Sequence, residues 1–123
     1  MKISVIQLNS RSNKQENITT ALNIATEAIK SDEPDLIAFP EMISFNGGTE
    51  IEKIQSAENI PQGQTTQMFS EFARNNSVFI HGGSFFERSG DKVFNTSLAF
   101  NRQGQVIAKY RKIHLFDITT LNG

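Results

Sequence analysis

The first 39 residues change hydrophobic period twice, from two to about 3.6 and back, which predicts a strand, a helix and a second strand. Residues 2–8 place Ile3 and Val5 on one side and Ile6 and Leu8 on the other, the pattern of an interior strand covered on both faces. Ser12 with Gln15, or Asn13 with Glu16, supplies a capping box. Ile18, Ala21, Leu22, Ala25, Ala28 and Ile29 then share one stripe of a helix running to about Lys30. Pro34 disfavours helix in the residue before it, so residues 31–35 break the helix, and Leu36, Ile37, Ala38 and Phe39 form a second buried strand. Strand, helix, strand implies a right-handed parallel crossover, and the expected class is α/β or layered α+β.

Residues 42–64 carry a weak signal. Asn46-Gly47-Gly48 and Ile60-Pro61-Gln62-Gly63 punctuate a loop-rich excursion around a short helix at 50–56. Thr65 or Thr66 opens a second helix whose Met68, Phe69, Phe72 and Ala73 share a face, ending near Asn75 and Asn76. Three strands follow at 78–82, 93–100 and 105–110, the last two joined as a hairpin across Asn101-Arg102-Gln103-Gly104. With no repeat, low-complexity tract or linker, residues 1–123 are expected to form part of one domain.

Several function classes fall away on composition. Twelve basic and thirteen acidic residues, without a block of like charge, leave no electrostatic footprint for nucleic acid or an anionic membrane. The expected partner is a small molecule. The apolar run at the N-terminus soon meets Asn9, Ser10 and Arg11, so it lacks the apolar region of a signal peptide, and a cytoplasmic location is the expectation. On that expectation the sequon Asn17-Ile18-Thr19 has no meaning. Zero cysteines rule out a disulfide, a thiolate metal site or a cysteine nucleophile within these 123 residues. Two histidines, His81 and His114, without an HExxH spacing make a local transition-metal site an unpromising reading.

Glu41, directly after Phe39 and Pro40, and Lys112, in the run Lys109-Tyr110-Arg111-Lys112-Ile113-His114-Leu115-Phe116, each sit just beyond an expected strand. A carboxylate there can take a proton and an ammonium can hold charge developing on a carbonyl oxygen, which together suggest acyl transfer. The plain alternatives stand beside this. Glu41 could be a solvated charge, and Lys109, Arg111 and Lys112 could be one solvated basic face. His81 and His114 read as packing residues, since no orienting acid stands at a recognisable spacing.

The run His81-Gly82-Gly83-Ser84 invites comparison with the oxyanion-hole and nucleophile motifs of serine esterases. It lacks the closing glycine of a G-x-S-x-G elbow, and two glycines allowing a bend or a close backbone approach explain it better. Asn46-Gly47-Gly48 lacks the spacing that cradles phosphates.

Taken together, several segments resemble the N-terminal half of a nitrilase-superfamily carbon-nitrogen hydrolase. They are the opening strand ending in Gln7, the block Asp35-Leu36-Ile37-Ala38-Phe39-Pro40-Glu41, Gly82-Gly83-Ser84 with Glu87-Arg88, Asn95-Thr96-Ser97, and residues 109–116. The flavour is that of the amidase branch typified by omega-amidases. The resemblance implies an α-β-β-α sandwich, of which this chain would supply the N-terminal portion, and hydrolysis of a small-molecule amide by a Glu-Lys-Cys triad through a thioester. By motif match Glu41 is the glutamate, a general base, and Lys112 the lysine, an oxyanion stabiliser and proton donor. It further implies no cofactor and a homodimer. The family's cysteine and a second, substrate-positioning glutamate would lie beyond Gly123, so the chain is expected to be a partial sequence, inactive and aggregation-prone by itself. A noncatalytic module of the same fold, and a serine hydrolase using Ser84, are the other readings. Amide, nitrile and carbamoyl substrates all stay open.

Overall fold

In the computed structural model, which describes residues 1–114, Asn13 rather than Ser12 caps the first helix, α1 (Lys14–Asp32). Its extended backbone lets the side chain accept the N–H of Glu16, satisfying one of the donors that a helix start leaves unpaired. Pro34 stops the helix as expected, and Glu33 turns the chain in the left-handed region at φ 45°. The first strand, β1 (Ile3–Val5), and the second, β2 (Leu36–Ala38), run parallel on either side of α1, so the crossover is present.

Thr49 and Glu52 form a reciprocal capping box on the short helix α2 (Glu50–Ser56). The longer α3 (Gln64–Asn76) begins earlier than its threonines suggest. Gly63 is its cap, and Thr65 and Thr66 are buried inside the first turn. Four more strands follow among the described residues: β3 (Phe79–His81), β4 (Phe85–Ser89), β5 (Lys92–Phe100) and β6 (Val106–Arg111). The hairpin between β5 and β6 turns where the Asn-Arg-Gln-Gly run placed it, with Asn101 Oδ1 accepting the N–H groups of Gln103 and Gln105.

All six strands belong to one mixed sheet. β2 pairs β1 and β3 in parallel, and β5 pairs β3, β4 and β6 antiparallel. Thr96 partners both Phe85 of β4 and Arg111 of β6, while Ala99 partners both His81 of β3 and Ala108 of β6. β3 and β4 therefore share one edge of β5, as a single line of strand interrupted at Gly82, Gly83 and Ser84, and β6 lies along the other edge.

Helices α1 and α3 lie side by side, with Gln64 Nε2 donating to Gln15 Oε1 at 2.8 Å. They contribute Ile18, Ala21, Ala25, Met68, Phe69 and Ala73 to one apolar cluster with Ile6, Ile37, Ile80, Leu98 and Phe100 of the sheet. Phe69 is its hub, with its ring 5.0 Å from that of Phe39 and 5.8 Å from that of Phe100. Residues alternate along a strand, so the neighbours of these core positions face away from the helices. Leu36, Ala38, Phe79 and Ala99 are only half-buried there, and Ile3 and Val5 are exposed. The described residues thus present one helix layer, one sheet and one apolar sheet face that none of them covers.

Two sequence expectations need correction. The first strand is not interior: among the described residues β1 pairs only with β2, at the edge of the sheet, and its Ile3 and Val5 side is exposed. Apolar residues on both faces mark a strand meant to be covered, and do not say which part of a polypeptide covers it. The second correction is an added strand, Phe85–Ser89, which the sequence pattern does not mark. Its alternation is regular, Phe85 and Glu87 inward, but the second inward residue is a carboxylate at 3% exposure. A buried charge breaks the period-two pattern unless its partners are known. Those partners lie on β6.

Candidate active site

β5 runs antiparallel to both β3 and β6, so β6 is parallel to β3, and the C-terminal ends of β2, β3 and β6 meet at one end of the sheet. Ligands of open α/β sheets bind at that end. The chain leaving β2 carries Glu41, the chain leaving β3 carries Gly83, and the chain leaving β6 carries Lys112. Asn95 lies near the start of β5, where its carbonyl accepts the Lys112 N–H at 2.8 Å.

The turn at Pro40 and Glu41 docks into the interruption between β3 and β4. Ser84 N–H donates to the Pro40 carbonyl at 3.3 Å, Ile43 N–H to the Ser84 carbonyl at 2.9 Å, and Met42 N–H to Ser84 Oγ at 3.0 Å. Gly83 makes the approach possible. It sits at φ +58°, and a Cβ on it would fall 1.9 Å from the Pro40 carbonyl oxygen. The close-approach reading of the two glycines therefore holds, and Ser84 serves to hold the turn.

Lys112 Nζ donates to Glu41 Oε1 at 2.9 Å, and Asn95 Nδ2 donates to the same oxygen at 3.0 Å. Among the described residues Oε2 has no hydrogen-bond partner, so one oxygen is held and the other is free to accept a proton. The Lys112 donation is the main influence lowering the Glu41 carboxyl below its ordinary value. Burial opposes it, and the Asn95 donation and the Lys112 charge add to it. Glu41 is thus a carboxylate at neutral pH. The pair lies in a cleft of about 720 Å³ that Met42, Phe86, Phe94 and Asn95 also line, together with Glu50 and Lys53 of α2. An adjoining hollow shares Glu41, Asn95 and Lys112 and adds His81, Ser97 and Tyr110.

The basic run of β6 is not one solvated face. Leu98 partners Lys109 and Ser97 partners Tyr110, so Lys109 and Arg111 point to the helix side and Lys112 to the open side. Lys109 and Arg111 reach across β5 to Glu87, which takes Arg111 Nε and Nη2 at 2.9 and 2.7 Å, the Lys109 ammonium, and Thr96 Oγ1 at 2.6 Å. The Arg111 guanidinium also stacks 4.0 Å from the centre of the Phe94 ring. Burial pushes the Glu87 carboxyl up, but these donors outweigh it and hold it at about 2. Three clustered cations in sequence are therefore two anchors of Glu87 and one partner of Glu41.

His81 lies beside the site without the arrangement of a base. Gly83 N–H donates to its Nδ1 at 3.3 Å, which places the ring proton on Nε2, facing Ser97 Oγ at 3.4 Å. In that tautomer His81 donates to Ser97 and cannot take its proton. His114 is exposed, and Leu115 and Phe116 at the end of the run lie outside the described residues. Among the described residues no three histidine or carboxylate side chains converge on a candidate metal site. In the sequence Asn95 and Glu87 stand out only as parts of the segments that carry the family resemblance. Asn95 had a signal of its own, an amide on an otherwise small or apolar strand face with Val93, Ser97 and Ala99; Glu87 had none without its distant partners.

A sheet with helices on one face, a Glu-Lys pair at its C-terminal end and a Pro-Glu turn locked onto a glycine kink agree with the family comparison: the chain belongs to the carbon-nitrogen hydrolase family, whose model matches residues 2–123. It is 38% identical over 117 residues to the mouse (Mus musculus) omega-amidase NIT2, covering 95% of this chain and 41% of that protein. It is 37% identical over 123 residues to nitrilase homolog 2 of Dictyostelium discoideum, covering 98% of this chain and 37% of that one. The crystal structure of Saccharomyces cerevisiae Nit3, a nitrilase-superfamily member, superimposes with a TM-score of 0.84 at 28% identity, over 93% of this chain and 44% of the other. The chain thus spans about two fifths of the length of the curated relatives it matches.

Proposed function

We propose that this chain supplies the glutamate and lysine of a Glu-Lys-Cys amidase acting on a small-molecule amide. The observation that carries the reading is the Lys112–Glu41 contact in an open cleft at the C-terminal end of the sheet. Similarity to omega-amidases supports the amide as substrate. The cysteine is absent from the 123 residues, so the proposal places it on polypeptide outside them, as part of the same domain and of a homodimer.

In the proposed reaction Glu41 Oε2 accepts the thiol proton as the sulfur attacks the amide carbonyl carbon, and the carbonyl becomes an oxyanion facing the Lys112 ammonium. The tetrahedral adduct collapses by breaking the C–N bond. The proton on Glu41 passes to the leaving nitrogen, releasing an amine or ammonia and a thioester. Water, deprotonated by Glu41, then cleaves the thioester to the acid and restores the thiol. The two donors on Oε1 fix which oxygen does this work. Attack, proton transfer and charge stabilisation are all assigned to side chains, so the proposal includes no cofactor.

The zero-cysteine composition favours a second reading, a noncatalytic module that binds an amide without turnover. One measurement separates the two. The coding frame is read past the codon for Gly123, and the product is checked by intact mass and assayed for amide hydrolysis. A cysteine after the next buried strand, with turnover that its substitution abolishes, supports the amidase. A product that ends at Gly123, or a complete protein without turnover, supports the module.

A further inference from the structure

Asn95 is 7% exposed, and its Oδ1 is one of two buried side-chain polar atoms without a hydrogen-bond partner among the described residues. Turning the amide over would not relieve this, because it would set a carbonyl oxygen against the Glu41 carboxylate. The fold therefore accepts an orphaned acceptor in order to keep Nδ2 on Glu41 Oε1. An apolar side chain of the same shape would fill the site at no such cost. From this geometry we infer that Asn95 is a positioning residue: it orients the Glu41 carboxylate so that Oε2, and not Oε1, is the proton acceptor.

The neighbouring elements fit that role. Asn95 is held by its own backbone, through the Lys112 N–H to the Asn95 carbonyl at 2.8 Å, so the strand that carries it also sets Lys112. One residue thereby ties base and cation to a common reference. Glu41 faces Lys112 from the end of β6, Asn95 from β5, Glu50 and Lys53 across the cleft from α2, and His81 from β3 with Tyr110 from β6 in the adjoining hollow. Of these only Lys112 and Asn95 donate a hydrogen bond to it. Removing Asn95 leaves Glu41 with one anchor instead of two and free to rotate about the Lys112 contact.

The inference rests on the proposed amidase, and its test keeps the two apart. In the complete protein, Asn95→Leu removes both the donor and the orphaned acceptor, and Asn95→Asp keeps the shape while losing the donor. Each is compared with wild type for kcat, KM, the pH profile of kcat/KM and melting temperature, and the Glu41 carboxyl is titrated by carbon NMR. The expected result for Asn95→Leu is a fall in kcat of about tenfold or more, in line with misplacing a general base. KM should change little, the acid limb should move to higher pH, and the melting temperature should not be lowered. Asn95→Asp shows the same loss and the same direction of shift, so the inference stays testable if the leucine variant does not fold. Unchanged kcat and acid limb in a folded variant overturns it, as does a loss explained by a lower melting temperature with no shift in pH profile. If wild type has no amidase activity, the proposed function fails. The positioning role is then decided by the carboxyl titration, which moves upward in the variants if Asn95 holds Glu41 and stays put if it does not.

Discussion

Lys112 Nζ donates to Glu41 Oε1 at 2.9 Å across 71 residues of sequence. Both ends of that contact are held by backbone: Glu41 by a turn bonded into the kink between β3 and β4, Lys112 by its pairing with Asn95. Exposed ion pairs contribute little to stability, and Glu41 and Lys112 keep 56% and 38% side-chain exposure. Their removal should therefore test chemistry and not folding. Glu41→Gln and Lys112→Met in the complete protein are expected to melt within a few degrees of wild type. The first should lose about 10²–10⁴-fold and the second about 10²–10³-fold in kcat. Near-normal turnover in either would remove that residue from the mechanism.

The Glu41 carboxyl lies below its ordinary value because of Lys112 and Asn95. A base of depressed pKa stays ionised until the solution is more acidic than its unperturbed pKa. The kcat/KM of the complete protein is therefore expected to hold as pH falls to the ordinary glutamate range and to decline only below it. Lys112→Met should move that limb upward, toward the ordinary value, in whatever activity survives. A limb unmoved by the substitution would show that the observed pKa belongs to another group.

Glu87 gives a stability experiment independent of catalysis. Its carboxyl is held at about 2 in the fold against an ordinary 4.5. It thus stabilises the native state fully above pH 4.5, and that contribution drains away as pH falls from 4.5 toward 2. Glu87→Gln is expected to cost about 1–3 kcal/mol at neutral pH, less than breaking a fully buried pair because Lys109 and Arg111 can reach water. Urea melts at pH 7 and pH 3 should show a larger gap between wild type and variant at pH 7. A gap of equal size at both would mean that Glu87 acts through packing alone.

Gly83→Ala should be far more harmful than Gly90→Ala, although both glycines have positive φ. A Cβ at Gly90 meets nothing within 4 Å, while one at Gly83 would press on the Pro40 carbonyl. Gly90→Ala carries only the backbone cost of about 1 kcal/mol. Gly83→Ala must also displace the turn that sets Glu41, so activity should fall with stability. Equal melting temperatures for the two variants would contradict the docking of that turn.

Among the described residues the sheet face opposite the helices carries exposed Ile3 and Val5, and Val106 and Tyr110 are exposed along β6. A contiguous apolar face and two strand edges in water favour association. The 123-residue chain expressed by itself is expected to bind a hydrophobic dye and to aggregate at micromolar concentration. A cooperative, soluble monomer by ultracentrifugation and urea melt would show that the face needs no cover.

What the sequence by itself determined was local. The period change at residues 2–39 placed a strand, a helix and a strand, a cap at Ser12 or Asn13 and the break at Pro34 bounded that helix, and the Asn-Arg-Gln-Gly run placed the hairpin. Each of these is written within a few residues, in side-chain spacing or in a residue's own backbone preference. The places of Glu41 and Lys112 just beyond two strands also marked them as a pair, and the resemblance of the Pro-Glu and Tyr-Arg-Lys motifs supplied the role of each. Tertiary structure decided the rest. That Glu87 is buried depends on cations 22 and 24 positions away. Whether Lys109, Arg111 and Lys112 act together or apart depends on which strand each faces across β5. That Asn95 spends its amide on Glu41 depends on the meeting of two strand ends separated by 54 residues. A charge or an amide has no preferred burial of its own. Its environment is set by partners that only the folded sheet brings within hydrogen-bond reach.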